Sequence, residues 1–308
     1  MLLAVAHIVV VLATETTLGA TAVNQIVTIP KGFKAGVYHG IPNEDYHAGP
    51  GISKSGLWTI ETQSPAHYKF SERETTKAFD FGEACHLAVL QPDLFEANVV
   101  RGPDDRRGNK WKDLAEVCAA EGKLLLTSGD YDGVLAIRDT VHADQRINSI
   151  ITGGKPEIEA SGYWIDPATG QICRCRPDLY RSDLAGILDV KSARSAHPDA
   201  FARAVVNYGY HAQEAHYSDG WRVLGRNVDW FAFLVFEKEP PYAFAVYELP
   251  PSIVDEGRAI MRKALDTYGE CVKANHWPAY GEGVQELSFK RWAYRLTEAP
   301  GIDGEEAA

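Results

Sequence analysis

The clearest alternation of apolar and polar positions lies in the second half of the chain. Trp230 to Phe236 and Tyr242 to Leu249 alternate, carry aromatic residues and flank Pro240-Pro241, which predicts a hairpin. Leu184 to Val190 leans apolar and reads as a strand. Further upstream, Glu157 to Ile165 and Gln171 to Tyr180 are extended runs on either side of Asp166-Pro167-Ala168-Thr169-Gly170, a turn-forming segment, so a second hairpin is expected there. Helical spacing marks three segments. Phe79 to Leu90 offers Phe81, Cys85, Leu87, Val89 and Leu90 for packing. Ser195 to Gly220 has Ser195 as a candidate N-cap and Pro198 in its first turn, and Pro251 to Asn275 is the third helix. The order of elements predicts an α/β chain of the α+β kind, with a mixed sheet flanked by helices and preceded by a helical N-terminal part. The domain is expected over residues 31–295, with its sheet core at about 155–250. Residues 1–30 read as an extension, and 296–308, rich in Gly and Glu after Pro300, as a flexible tail.

Placed on these elements, a few polar residues form a chemical pattern. Asp189 and Lys191 are two apart on the predicted strand, so their side chains leave one face. Glu159 and Asp178 sit on the two neighbouring extended runs. Three carboxylates and one ammonium on adjacent strands suit a phosphodiester and Mg²⁺: the ion prefers oxygen ligands, neutralises phosphate charge and helps make hydroxide near neutral pH. Glu157 competes with Glu159 for the first place. Gly82 and His86 share a helix face, and a glycine there allows close approach to the imidazole. Tyr210, Gln213 and Tyr217 form one helical stripe, either as polar-edged core or with Gln213 on the attacking water or a phosphate and Tyr217 in support. His211 falls off that stripe and reads as structural.

Composition narrows the partners. The 308 residues carry 31 Lys plus Arg against 42 Asp plus Glu, a formal charge of −11, which argues against nonspecific coating of nucleic acid but allows a local basic channel. Arg101 to Lys112 is a candidate, with Arg106, Arg107, Lys110 and an exposed-looking Trp111 able to grip phosphates and stack on a base; a solvated loop is the alternative. Arg174 and Arg176 flank Asp178, either to contact the strand or to balance the carboxylates. Ser53 and Ser55 either cap a helix or bind phosphate. Five scattered cysteines read as reduced thiols of a cytoplasmic protein rather than a disulfide framework or a zinc site. Met1 to Ala13 is apolar but too short to span a bilayer and lacks the basic start of a signal peptide, so no membrane role is expected.

The chain resembles the PD-(D/E)XK nuclease superfamily, and within it the phage-type exodeoxyribonuclease VIII proteins, relatives of lambda exonuclease. The resemblance rests on Tyr38 to His47, Ile52 to Leu57, Phe81 to His86 with Leu90-Gln91-Pro92, Cys175 to Asp178 with Asp189 to Ser192, and Tyr210 to Gln213 with Tyr217, spanning roughly residues 36 to 280. It implies a Mg²⁺-dependent exodeoxyribonuclease, with Mn²⁺ as a substitute, that digests duplex DNA from its ends in the 5′→3′ direction. His86, Glu159, Asp178, Asp189 and the Val190 carbonyl would bind one or two metal ions. Lys191 would orient and activate water, assisted by Gln213. A ring-shaped trimer or tetramer and a single-strand annealing partner are also implied. An endonuclease, a single-strand-specific nuclease or a non-catalytic binder of DNA ends are the alternative readings.

Overall fold

The structure, a computed structural model, describes residues 33–71, 78–281 and 283–287. The expected extension over 1–30 and tail over 296–308 lie outside the described residues. The helical first part runs through β1 (Gly36–Tyr38), α1 (Asn43–Ala48), α2 (Lys54–Thr62), α3 (Pro65–Phe70), α4 (Ala78–Leu90) and α5 (Pro92–Asn98). β2 (Val99–Arg101), α6 (Asn109–Glu121), β3 (Leu124–Leu126), α7 (Ser128–Ala143) and α8 (Gln145–Thr152) follow. The sheet core comprises β4 (Pro156–Ile158), β5 (Ser161–Ile165), β6 (Ile172–Cys175), β7 (Leu179–Arg181) and β8 (Gly186–Ala193). The chain then crosses through α9 (Pro198–Tyr208) and α10 (Tyr210–Val223) to β9 (Trp230–Glu237), β10 (Phe244–Tyr247) and α11 (Pro251–Ala274).

The main sheet has the order β10-β9-β8-β7-β4. β8 and β9 are parallel, and the other pairs are antiparallel, so the sheet is mixed as expected. Because β8 and β9 are covered on both faces, they are apolar along most of their length rather than alternating with solvent. Ile187, Phe231, Phe233 and Val235 pack into one core with residues of α2, α9, α10 and α11. Leu188, Val190, Ala232, Leu234 and Phe236 face a second core with α4, α7 and α8. Among the described residues no helix is long and apolar enough to cross a membrane.

The structure corrects three expectations. The hairpin around 166–170 does not consist of two unbroken strands. Glu159 has φ 53°, and Pro177, which has no N–H to continue a ladder, precedes Asp178. The half of each arm away from the turn, β4 and β7, stays in the main sheet, while β5 and β6 next to the turn join β1 in a separate three-stranded sheet. The Glu159 N–H still donates to the Asp178 carbonyl over 3.1 Å, so the two acidic residues sit at the bend itself. The helix expected over 195–220 is broken at Gly209, where φ is 65° and an added Cβ would lie 2.6 Å from the Trp58 ring. His197, not Ser195, is its N-cap. The predicted strand also runs on to Ala193, which places Lys191 inside it.

The closest approach in the sheet is at Gly186, opposite Trp230, where a Cβ would fall 1.8 Å from the indole. That ring is held by its own N–H, which donates to Leu184 O over 3.0 Å. Gly186→Ala is therefore expected to cost about 1–3 kcal/mol through overpacking, read as a lower denaturant midpoint with an unchanged slope.

Candidate active site

β8 carries polar groups to both of its faces. On the α10 side, Asp189 is 1% exposed and ion-paired with Lys191. The Lys191 ammonium lies 5.0 Å from the centre of the Tyr210 ring. Gln213 donates its amide to Asp189 Oδ1 over 2.7 Å. That bond corrects the expectation that Gln213 contacts water or phosphate: a buried amide needs a partner, and the carboxylate is it. Tyr217, one turn further along α10, is half-buried against the same core, where burial raises its phenol pKa well above the ordinary value.

On the α4 side, the end of β7 leaves the Val190 N–H without a ladder partner. Asp178 Oδ2 accepts it over 2.6 Å. His86 Nδ1 stands 3.7 Å from the same oxygen. Glu159 completes the group from the bend. One donor atom each from His86, Glu159 and Asp178 lies within 4.8 Å of the others. Asp189 stands outside this triad, with its carboxylate turned to Lys191 and Gln213.

The electrostatics suit a cation between the three. Burial, reinforced by Lys191, lowers His86 to about 4, so the ring is neutral and free to ligate at neutral pH. Burial and the neighbouring Asp178 push Glu159 up to about 7, and burial raises Asp178 as well. Asp189 is pushed up to about 6 by burial and then by Asp178. Two buried carboxylates, one of them raised further by the other, are relieved by a shared positive ion, and one imidazole with two carboxylates is a donor set that accepts divalent cations. Burial pulls Lys191 down, but Asp189 and Asp178 outweigh it, so the ammonium is held charged.

The triad opens on a cleft of about 770 Å³ whose wall includes Ile41, Leu87, Leu90 and Leu94 and whose lining includes Arg176. Arg176 is buried and donates to Ser161 Oγ over 2.9 Å and to Ile41 O over 3.0 Å, with Glu159 3.8 Å away. This balances Glu159. Arg174 is corrected: its guanidinium donates to Tyr46 O and Gly49 O over 2.5 Å each and so ties down the 46–49 turn, away from any strand contact. Ser53 caps α2 through the Gly56 N–H, and Ser55 is exposed; neither lines the cleft. The Arg101–Lys112 segment also lies off the lining. There Arg106 pairs with Asp130 over 3.3 Å, Arg107 N–H bonds the Asp105 carboxylate, and Lys110 belongs to the first turn of α6. Trp111 is half-buried over Gly102 rather than exposed.

Sequence reasoning passed over Lys54 and Glu83. Lys54 is buried, donates to Tyr208 O over 2.5 Å and lies 5.1 Å from the Trp58 ring, which clamps the break between α9 and α10. Burial and then Lys191 lower its pKa to about 7. Glu83 lines the cleft one turn before His86. A signal for both was their place inside Ile52–Leu57 and Phe81–His86, two segments already singled out.

Beside Gln213, Glu214 has a buried carboxylate oxygen with no hydrogen-bond partner. Burial and then Glu248 push its pKa from the ordinary 4.5 up to about 8, against Arg258 and Arg222. The folded chain thus holds a proton that the unfolded chain releases. Its contribution to stability is full below about pH 4.5 and is lost as pH rises through about 8. Glu214→Gln is expected to melt higher than the parent at pH 9, by on the order of 3 kcal/mol, and equally at pH 4. A parent-like melting curve at pH 9 would refute this.

Comparison with known proteins agrees with the geometry. Residues 61–288 match the family described as "PDDEXK-like domain of unknown function (DUF3799)". No curated protein matches the chain. A "Putative exonuclease" from Eubacterium rectale is similar in fold, at TM-score 0.54 and 16% identity over 85% of this chain and 96% of that one. A "phage related exonuclease" from Haemophilus somnus 129PT gives TM-score 0.33 and 12% identity over 75% of this chain and 99% of that one.

Proposed function

Because the chain belongs to the PDDEXK-like domain family, we propose that it is a divalent-metal-dependent nuclease, and specifically an exodeoxyribonuclease that digests linear duplex DNA from its ends in the 5′→3′ direction. The observation that carries this reading is the meeting of His86, Glu159 and Asp178 within 4.8 Å, on a cleft and within electrostatic reach of Lys191. Mg²⁺, or Mn²⁺ in its place, would be held by these three side chains with the Val190 carbonyl alongside. A bound cation would neutralise phosphate charge and lower the pKa of water. Lys191 is charged at neutral pH, so it donates to the attacking water or to a phosphate oxygen and does not itself take the water's proton. Asp189 and Gln213 fix its position. Arg176 holds Glu159 toward the group. A ring of three or four copies that threads DNA, with a single-strand annealing protein as partner, belongs to the same proposal.

Digestion of linear duplex labelled at either end, beside a closed circle, with and without Mg²⁺, tests this. Metal-dependent early release of the 5′ label with the circle intact is the expected result. Nicking of the circle would make the protein an endonuclease, early release of the 3′ label would reverse the polarity, and no cutting would leave a binder of DNA ends.

A further inference from the structure

Two cations stand side by side where β8 and β9 end. The strands are parallel, with Ser192 opposite Phe236 and Ala193 opposite Glu237. Arg194 and Lys238 are the next residues on each path, and the Lys238 N–H donates to Ala193 O over 3.3 Å, so the pairing persists to that point. Leu188 and Val190 on β8, and Ala232, Leu234 and Phe236 on β9, belong to the core on the α4 side, and Ser192 lines the cleft. With a period of two, Arg194 and Lys238 continue these rows on the cleft side of the sheet.

Both residues are exposed, and among the described residues neither has an ion-pair partner. The carboxylate of Glu237, which lies between them in sequence position, is engaged elsewhere and accepts the Ala196 N–H over 2.8 Å. Like charges on adjacent strands repel. In a chain of formal charge −11, an exposed, unpaired cationic pair one step past Ser192 makes a locally positive spot open to an anion. The backbones that carry this guanidinium and ammonium leave two paired strands, whose spacing is about 5 Å, and the two groups are of the kind that binds the oxygens of a phosphodiester.

We propose, on the nuclease reading above, that Arg194 and Lys238 together hold a backbone phosphate of the DNA strand next to the phosphodiester being cut, where that strand passes Ser192 on its way out of the cleft. Such a contact positions the strand without reading its sequence.

The test is binding of fluorescently labelled duplex by the full chain, with Ca²⁺ replacing Mg²⁺, titrated across KCl concentrations. The parent is compared with Arg194→Ala/Lys238→Ala and with Arg146→Ala/Lys273→Ala, which removes the same charge from exposed cations on α8 and α11. The cleft pair is expected to weaken binding about five- to tenfold at 0.1 M salt and to reduce the slope of log affinity against log salt by about 0.9, the release expected for one phosphate contact. The control pair should leave the slope unchanged, and the melting temperature of the cleft pair should not fall, because a repulsion has been removed. A parent that cuts DNA while the cleft-pair variant keeps the parental slope would overturn this inference alone. A parent that neither binds nor cuts DNA would overturn it together with the nuclease reading.

Discussion

Lys191→Ala is expected to slow phosphodiester cleavage by about a hundred- to a thousandfold, the range found when one preorganised donor to the reacting centre is lost. The argument starts from its surroundings. The ammonium is nearly buried, paired with Asp189, set against the Tyr210 ring and held charged by Asp189 and Asp178. It is the one cation among the described residues that couples to both halves of the site, since it also lowers His86. The same surroundings set a second expectation. Without Lys191, Asp189 keeps only the Gln213 amide as a partner, and a buried charge that loses its counter-ion destabilises by about 3–5 kcal/mol. Asp189 already holds its proton up to about pH 6, so it can neutralise and soften that loss. The variant should therefore melt lower but cooperatively and still take up Mn²⁺ in a calorimetric titration, because Lys191 is not among the three grouped donors. Single-turnover cleavage of an end-labelled duplex is the decisive measurement. A rate near that of the parent would remove Lys191 from the active site.

What could be read from the sequence and what could not divides along contact range. β8 and β9 were legible because a strand covered on both faces must be apolar in one continuous run, and α11 because its stripe repeats over many turns. Asp189 and Lys191 were legible because the period of two along one strand sends both side chains to one face, and Asp178 because it directly precedes the neighbouring strand. The breaks at Glu159 and Gly209 were not. Gly209 looks like any glycine until the Trp58 ring, about 150 residues earlier in the chain, occupies the space where a side chain would go. Arg174 was misjudged for the same reason: its partners, Tyr46 to Gly49, lie far upstream, and nothing near it in sequence shows that three carbonyls converge on its guanidinium. Trp111 looked exposed within a polar loop, yet Gly102 leaves a bare backbone for it to cover. In each case the local pattern was ambiguous, and a distant side chain decided it.

Divalent-cation binding is expected to strengthen as pH rises to about 7 and then to level off. Glu159 and Asp178 are neighbouring buried carboxylates, so they titrate as a pair, and the pair holds one proton up to about pH 7, mainly through burial and then through repulsion between the two charges. A cation must displace that proton. Below pH 7 the proton competes with the ion, and affinity falls by up to tenfold per pH unit; above it the competition ends. His86 adds no second proton in this window, because burial keeps it neutral down to about pH 4. Calorimetry in two buffers of different ionisation enthalpy should therefore find nearly one proton released per Mn²⁺ bound at pH 6 and little at pH 8.5. Glu159→Gln removes the partner carboxylate, so Asp178 should ionise more readily, proton release at pH 6 should largely vanish, and affinity should drop at every pH because a ligand is lost. Arg176, 3.8 Å from Glu159, works in the opposite direction by favouring the carboxylate. Arg176→Ala should then move the midpoint above 7 without removing a ligand, a displacement that a purely structural role for Arg176 would not produce. Proton release that stayed the same at pH 6 and pH 8.5 in the parent would show that Glu159 and Asp178 do not receive the ion.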